Sequence, residues 1–274
     1  MRLPCEYLLL FILKIGYTSE MGKTLVFVNQ KGGVGKTTSA VNLGAYLALA
    51  GKKTLLIDFD PQGNMSSGVG IANVKPTIYD LLAEASEIKQ TIRPTAIQNL
   101  FAIPASIDLS GATIELVDEN HREYYLKNII AKIKDAYDYI LIDCPPSLGI
   151  LTLNGLVAAD EVFIPLQCEY FALEGLTLLL QTVKRVQVKL NPDLTIGGIF
   201  FTMYDSRTKL AQEVVQQVSG YFKDRVFSTI IPRNVKLSEA PSHGLPICAY
   251  DPGCAGARSY EKLAKEVLER GKKK

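Results

Sequence analysis

One stretch governs what this chain can fold into: Asn29-Gln-Lys-Gly-Gly-Val-Gly-Lys-Thr-Thr38. The apolar run Leu25-Val-Phe-Val28 leads into it, and a helix-like run from Thr38 to Ala50 leads out. Strand, glycine-rich turn and helix is the context of a phosphate-binding loop. Gly32, Gly33 and Gly35 carry no Cβ, so backbone N–H groups can curl closely around a phosphate chain. The helix that follows aims its positive end at the same anion. Lys36 is placed to neutralise the β and γ phosphates, and the Thr37 hydroxyl to ligate Mg²⁺. The stretch Lys31, Gly32, Gly33, Val34, Gly35, Lys36, Thr37 and Thr38 is therefore the expected binding loop for a nucleoside triphosphate. It departs from G-x-x-x-x-G-K-[ST] at one position: Gln30 stands where the first glycine belongs. A second lysine, Lys31, lies just inside the loop.

A loop of this kind needs a parallel sheet behind it, and the rest of the chain reads that way. Apolar runs at 24–29, 54–59, 98–103, 138–143, 161–166, 195–202 and 226–231 predict strands. They alternate with helical patterns at 36–50, 77–84, 120–135, 147–158, 172–190, 207–222 and 256–270. Connections are short, and no repeat or low-complexity segment divides them. The expectation is one doubly wound, mainly parallel α/β domain with helices on both faces, spanning 21–271. Residues 1–20 stand apart. Their apolar run, Leu8 to Leu13, is too short to span a bilayer, and no A-x-A-like cleavage site follows. They read as an N-terminal extension outside the fold, with Met21 the natural start.

Two more stretches look like site-building strand ends. Thr54-Leu-Leu-Ile-Asp58-Phe-Asp60 delivers two aspartates into a Pro-Gln-Gly-Asn64 turn, at the carboxyl edge where open α/β sheets bind ligands. Aspartates two apart on a strand share a face, unless the turn breaks the register before Asp60. Tyr139-Ile-Leu-Ile-Asp143 is the apolar-run-then-aspartate pattern of a Walker-B strand, whose carboxylate holds Mg²⁺ through its waters.

Lys31-Gly-Gly-Val-Gly-Lys-Thr-Thr38, Asp58-Phe-Asp-Pro-Gln-Gly-Asn64 and Asp143-Cys-Pro-Pro-Ser147 together resemble the deviant Walker-A ATPases. Among these the chain is most similar to the ParA/Soj chromosome- and plasmid-partition proteins. Thr202-Met-Tyr-Asp-Ser-Arg-Thr208 and Ile231-Pro-Arg-Asn-Val-Lys-Leu-Ser-Glu-Ala-Pro-Ser-His-Gly244 extend the likeness over roughly 22–270. The resemblance implies ATP and Mg²⁺ as cofactors and an ATP-dependent homodimer. It makes Lys31 a signature lysine that reaches across to the partner's nucleotide, and Asp60 the residue that positions the attacking water. It places Pro232, Arg233 and Asn234 beside the adenine base, a role favoured for Asn234 over the plainer one of turn-former after a strand. It further implies slow hydrolysis stimulated by a ParB-like centromere-binding protein, and a cytoplasmic, nucleoid-associated location.

Charge bears on the remaining partner. Formal net charge is only +2, but from Ser206 onwards 13 Lys and Arg stand against 7 Asp and Glu. A basic C-terminal region suits a phosphate backbone, though scattered lysines on solvated helices give the same count. The resemblance puts DNA contacts at Arg207 and Lys236, with Lys223, Arg225 and Arg233 as further candidates and Lys209 a weaker one. No helix-turn-helix or zinc finger is evident, so binding to double-stranded DNA is expected to be non-specific and salt-sensitive.

Three rival readings remain. A MinD-like membrane-positioning ATPase would need a bulkier apolar terminal helix than Leu263-Ala-Lys-Glu-Val-Leu-Glu-Arg-Gly-Lys-Lys-Lys274, so no stable membrane association is expected. An electron carrier like the nitrogenase iron protein would need two suitably placed cysteines. The five present (5, 144, 168, 248 and 254) form no C-x-x-C pair, and they fit a reducing compartment. A ligase of the dethiobiotin-synthetase kind has no need of Lys31. The aromatic pairs Tyr124-Tyr125 and Tyr170-Phe171 are expected to pack in the core.

Overall fold

The computed structural model describes residues 22–115 and 119–272. The N-terminal extension and the Met21 start lie outside the described residues. Seven strands form one sheet in the order β3-β4-β2-β5-β1-β6-β7. They are β1 Lys23–Phe27, β2 Thr54–Asp58, β3 Arg93–Pro94, β4 Leu100–Ile103, β5 Tyr139–Asp143, β6 Glu161–Gln167 and β7 Thr195–Thr202. All neighbours pair parallel except β3, a two-residue antiparallel edge strand whose proline suits an unpaired edge. β1 lies between β5 and β6, so the loops leaving β1 and β5 emerge side by side.

Helices α1 Lys36–Leu49, α2 Asn64–Gly68, α3 Ile78–Leu82, α4 Ile88–Thr91, α5 Leu109–Glu115 and α6 Tyr125–Ala131 belong to the first half. They are followed by α7 Ile150–Ala158, α8 Ala172–Lys189, α9 Lys209–Phe222, α10 Val235–Glu239, α11 Ile247–Tyr250 and α12 Ala255–Gly271. The strands are buried on both faces, which is why they read as unbroken apolar runs. Alternate side chains feed two separate cores. Val26, Leu55, Ile57, Ile140, Ile142 and Ile164 face one, with α7 and α8; Leu25, Phe27, Leu56, Leu141 and Phe163 face the other, with α1 and α12. Helix α1 lies hard against the sheet at Gly44, where an added Cβ would come within 2.6 Å of Leu56 Cδ2.

The doubly wound α/β expectation holds, with local corrections. The run 226–231 is not a strand. Phe227 N–H donates to Ile199 O at 2.8 Å and Ile231 N–H to Phe201 O at 2.8 Å, so four residues advance beside only two of β7. Between them the backbone N–H groups of Ser228 and Thr229 turn to the Glu266 carboxylate on α12, at 2.8 and 3.1 Å. The predicted helix at 120–135 breaks into two 3-10 turns around α6, and the one at 147–158 starts only at Ile150. Helices α2, α4, α5, α10 and α11 and strand β3 went unpredicted, being too short to show a period.

Glu266 therefore ties α12 to the segment that leads into Pro232-Arg233-Asn234. Burial pushes its carboxyl upward, but hydrogen bonds from both N–H groups and both hydroxyls of Ser228 and Thr229 outweigh that and leave its pKa below the ordinary 4.5. A depressed carboxyl pKa gives stability that is fully present above the unfolded value and is lost as pH falls through the folded one. Glu266→Ala should thus cost about 2–3 kcal/mol in urea denaturation at neutral pH. The deficit should shrink as both proteins are brought below about pH 4.

Candidate nucleotide site

The loop after β1 is tied to β6 and β7. Gly33 and Gly35 take φ of +74° and +87°, a left-handed backbone that side chains with a Cβ resist. Thr202, the last residue of β7, donates from Oγ1 to the Val34 carbonyl at 2.8 Å. Asn29 donates from Nδ2 to Pro165 O on β6 at 2.8 Å and accepts the Lys31 backbone N–H at 3.0 Å. The loop borders a cleft of about 760 Å³, with Gly32, Gly33, Gly35, Lys36, Thr37 and Thr38 on one wall. Asp60, Gln62, Pro146, Pro232, Arg233 and Asn234 complete its sides.

Lys36 opens α1 and is 6% exposed. Burial pulls its pKa below the ordinary lysine range, against the opposing pull of the nearby Asp143 and Asp60 carboxylates. An anion in the cleft would restore that proton's hold. Thr37 donates from Oγ1 to Asp143 Oδ2 at 2.6 Å, while Asp143 Oδ1 is buried with no hydrogen-bond partner. Burial and then the charge of Asp58 hold the Asp143 carboxyl well above the usual range. A hydroxyl oxygen beside a carboxylate suits a hard cation that takes its other ligands from phosphate and water. The pair fits Mg²⁺, and among the described residues no group of three or more His, Cys, Asp or Glu forms a metal nest.

Asp58 and Asp143 are register partners on adjacent strand ends, but their roles diverge. Asp58 Oδ2 accepts the Ser66 N–H at 2.8 Å and the Ser66 hydroxyl at 2.6 Å, and Oδ1 accepts the Asp60 N–H at 3.3 Å. Burial pushes its pKa up to about 6. The chain thus turns at Phe59, and Asp60 leaves the shared strand face to border the cleft, its Oδ1 capped by the Gln62 N–H at 3.0 Å. Asn234 also borders the cleft, and its Oδ1 is buried with no partner, an acceptor suited to an exocyclic amine. The Tyr204–Pro232 bridge off the end of β7 holds this segment in place.

Lys31 departs from the rest of its loop. It is exposed, does not border the cleft, and its ammonium pairs with the Glu169 carboxylate. Tyr170 and Phe171, expected in the core, are 77% and 69% exposed and touch each other edge-on. They follow Glu169 on the turn after β6, where no core face is available. Tyr124 and Tyr125 do pack against the core.

The basic candidates separate into two sets. Arg207, Arg233 and Lys236 are exposed at the strand ends near the cleft. Arg207 makes a two-pronged contact with Asp205 at 2.9 and 2.7 Å, and Lys236 pairs with Glu239 at 2.8 Å. Lys209 begins α9 on the same side. Lys223 and Arg225 lie beyond the far end of α9, about 20 Å away along its axis, with Arg225 donating to Ile196 O at 2.7 Å. Sequence reading missed Asn29, Ser66, Glu169 and Thr202 as site-building residues, since each acts through a contact distant in sequence.

Residues 22–196 match the AAA_31 family model, described as an AAA domain. The chromosome-partitioning ATPase Soj of Treponema pallidum (strain Nichols) is 79% identical over 250 residues, covering 91% of this chain and 98% of that protein. The chain belongs to the ParA/Soj family of chromosome-partitioning ATPases. The sporulation initiation inhibitor protein Soj of Bacillus subtilis (strain 168) is 56% identical over 253 residues, covering 92% of this chain and 100% of that protein. Among solved structures, cobyrinic acid a,c-diamide synthase from Mycobacterium smegmatis with bound ADP and magnesium superposes with a TM-score of 0.80 at 37% identity. That match covers 92% of this chain and 96% of the other.

The turn after β2 is braced by Ser66. Its hydroxyl donates to Asp58 and accepts the Ala105 N–H at 3.0 Å, all of it buried. Ser66→Ala removes a charge-assisted bond and orphans a backbone donor. It should lower unfolding free energy by about 2–4 kcal/mol in chemical denaturation and reduce ATPase activity by displacing Asp60.

Proposed function

We propose that this ParA/Soj-family ATPase is a switch for DNA segregation. It binds ATP with Mg²⁺ and pairs with a second copy face to face across the nucleotides. The dimer binds double-stranded DNA without sequence preference, and hydrolysis is slow until a ParB-like partner stimulates it. Its place is the cytoplasm, at the nucleoid. The observation that carries this reading is the division between two lysines of one loop. Lys36 is buried in its own cleft, whereas Lys31 is exposed outside it. A cation supplied by a second subunit stabilises the charge of a loose phosphoryl-transfer transition state only after assembly, which makes hydrolysis a timer.

Within one chain, Gly32 to Thr38 cradle the phosphates, Thr37 and Asp143 hold the metal, and Asp60 positions water. Asn234 offers its acceptor to the adenine amine. A Mg²⁺ ion held there would supply neutralisation of phosphate charge. Arg207 and Lys236, each held by a partly exposed acid that phosphate can displace, form the DNA-facing pair, supported by Arg233. Lys223 and Arg225 would serve a separate stretch of backbone. The membrane-positioning alternative is disfavoured by α12, whose apolar side, Ala257, Tyr260, Leu263, Ala264, Val267 and Leu268, is buried against α1. Among the described residues no helix is long and apolar enough to cross a membrane. The electron-carrier alternative fares no better, because Cys144 is fully buried.

Lys36→Ala should weaken binding of a fluorescent ATP analogue by about 10- to 100-fold, as expected for losing a charge-assisted contact. Lys31→Ala should bind it normally yet lose dimerisation-dependent hydrolysis; normal turnover by Lys31→Ala would sink the switch reading.

Replacing Arg207 and Lys236 together by alanine should abolish co-sedimentation with DNA in ATP while nucleotide binding persists. Wild-type co-sedimentation should fall steeply with added salt. Unchanged co-sedimentation by the double variant would refute the DNA assignment.

A further inference from the structure

Lys31 is exposed, but it is not free. Its backbone N–H is fixed by Asn29 Oδ1 at 3.0 Å, and Asn29 is itself 7% exposed and anchored to Pro165 O at 2.8 Å. Four residues beyond Pro165, Glu169 meets the Lys31 ammonium. The turn that carries Glu169 is tied down at both ends, Glu169 N–H to Gln167 O at 2.9 Å and Ala172 N–H to Glu169 O at 2.9 Å. One buried asparagine therefore sets the root of the lysine and fastens it to the strand from which its acidic partner follows. The pair is half-exposed on both sides, with side-chain exposures of 49% and 47%. It is thus weak enough to exchange, and it holds the ammonium on a residue that does not border the cleft lined by Gly32, Gly33 and Lys36.

We infer that Glu169 is a positioning residue that restrains Lys31 in the single chain and competes with the phosphates of a second copy for the same ammonium. This rests on the reading of Lys31 as a lysine that acts in trans. Each chain must break its Lys31–Glu169 pair before its lysine can reach the partner's nucleotide. Self-association is then opposed twice per dimer by an interaction internal to each chain. Such a restraint keeps the lone protein in its resting state at low occupancy, without adding any contact that opposes nucleotide binding itself.

An exposed ion pair is worth about a two- to fivefold factor in an equilibrium. Two broken per dimer amount to about 4- to 25-fold. The test is sedimentation velocity of the full chain with Mg²⁺ and a slowly hydrolysed ATP analogue, over a range of protein concentrations. Glu169→Gln should lower the concentration for half-dimerisation by about 4- to 25-fold and raise basal ATPase, with analogue affinity of the monomer unchanged. Glu169→Asp, which keeps the charge, should return towards wild type. Adding Lys31→Ala should erase the effect of Glu169→Gln. An unchanged or higher midpoint for Glu169→Gln, with Lys31→Ala inactive, would overturn the restraint while leaving the trans lysine standing. Normal dimerisation and turnover by Lys31→Ala would instead remove the reading beneath it.

Discussion

Everything in this site is measured from two buried carboxylates at the ends of neighbouring parallel strands. Asp58 and Asp143 sit opposite each other in register and fully buried; burial raises both pKa values, and the charge of Asp58 raises that of Asp143 further. Such proximity is unfavourable unless each carboxylate has its own partners. Asp58 finds them within the protein, in Ser66 and the Asp60 N–H, and so fixes the turn after β2. Asp143 finds only Thr37, and its second oxygen is left over. One carboxylate is satisfied within the protein, and the other keeps an unpartnered oxygen. The difference comes from what the following loop supplies, not from the strands.

Much of this was legible in the sequence because it is local. A phosphate loop between strand and helix, an apolar strand ending in aspartate, and an Asp-Phe-Asp turn are each written in consecutive residues. The parts that failed depend on distant contacts. Val226 to Ile231 has the composition of a strand, yet Glu266 on α12 takes the N–H groups a ladder would need. Tyr170 and Phe171 look like core residues until the turn after β6 places them outside. Thr202 braces the loop across 168 positions, a partnership no local pattern contains.

The same molecule combines a rigid interior with a lightly held rim. Lys36, Thr37, Asp60 and Asp143 are positioned by buried strands, by α1 and by partly buried hydrogen bonds. Lys31, Arg207 and Lys236 are instead paired with partly exposed acids on their own chain. Exposed pairs exchange readily and are screened by salt, so these cations can change partners without disturbing the fold. On the function proposed above, chemistry that must be exact sits on the scaffold, and association that must be reversible sits on its edge.

The central claim is that one chain contributes a lysine to another chain's nucleotide. A crystal structure of the protein with Mg²⁺ and a non-hydrolysable ATP analogue tests it most directly. The account predicts two copies facing each other, with the Lys31 ammonium on the partner's phosphates and Thr37 and Asp143 around the metal. A nucleotide-bound single chain in which Lys31 stays on Glu169, or folds back onto its own phosphates, would contradict it.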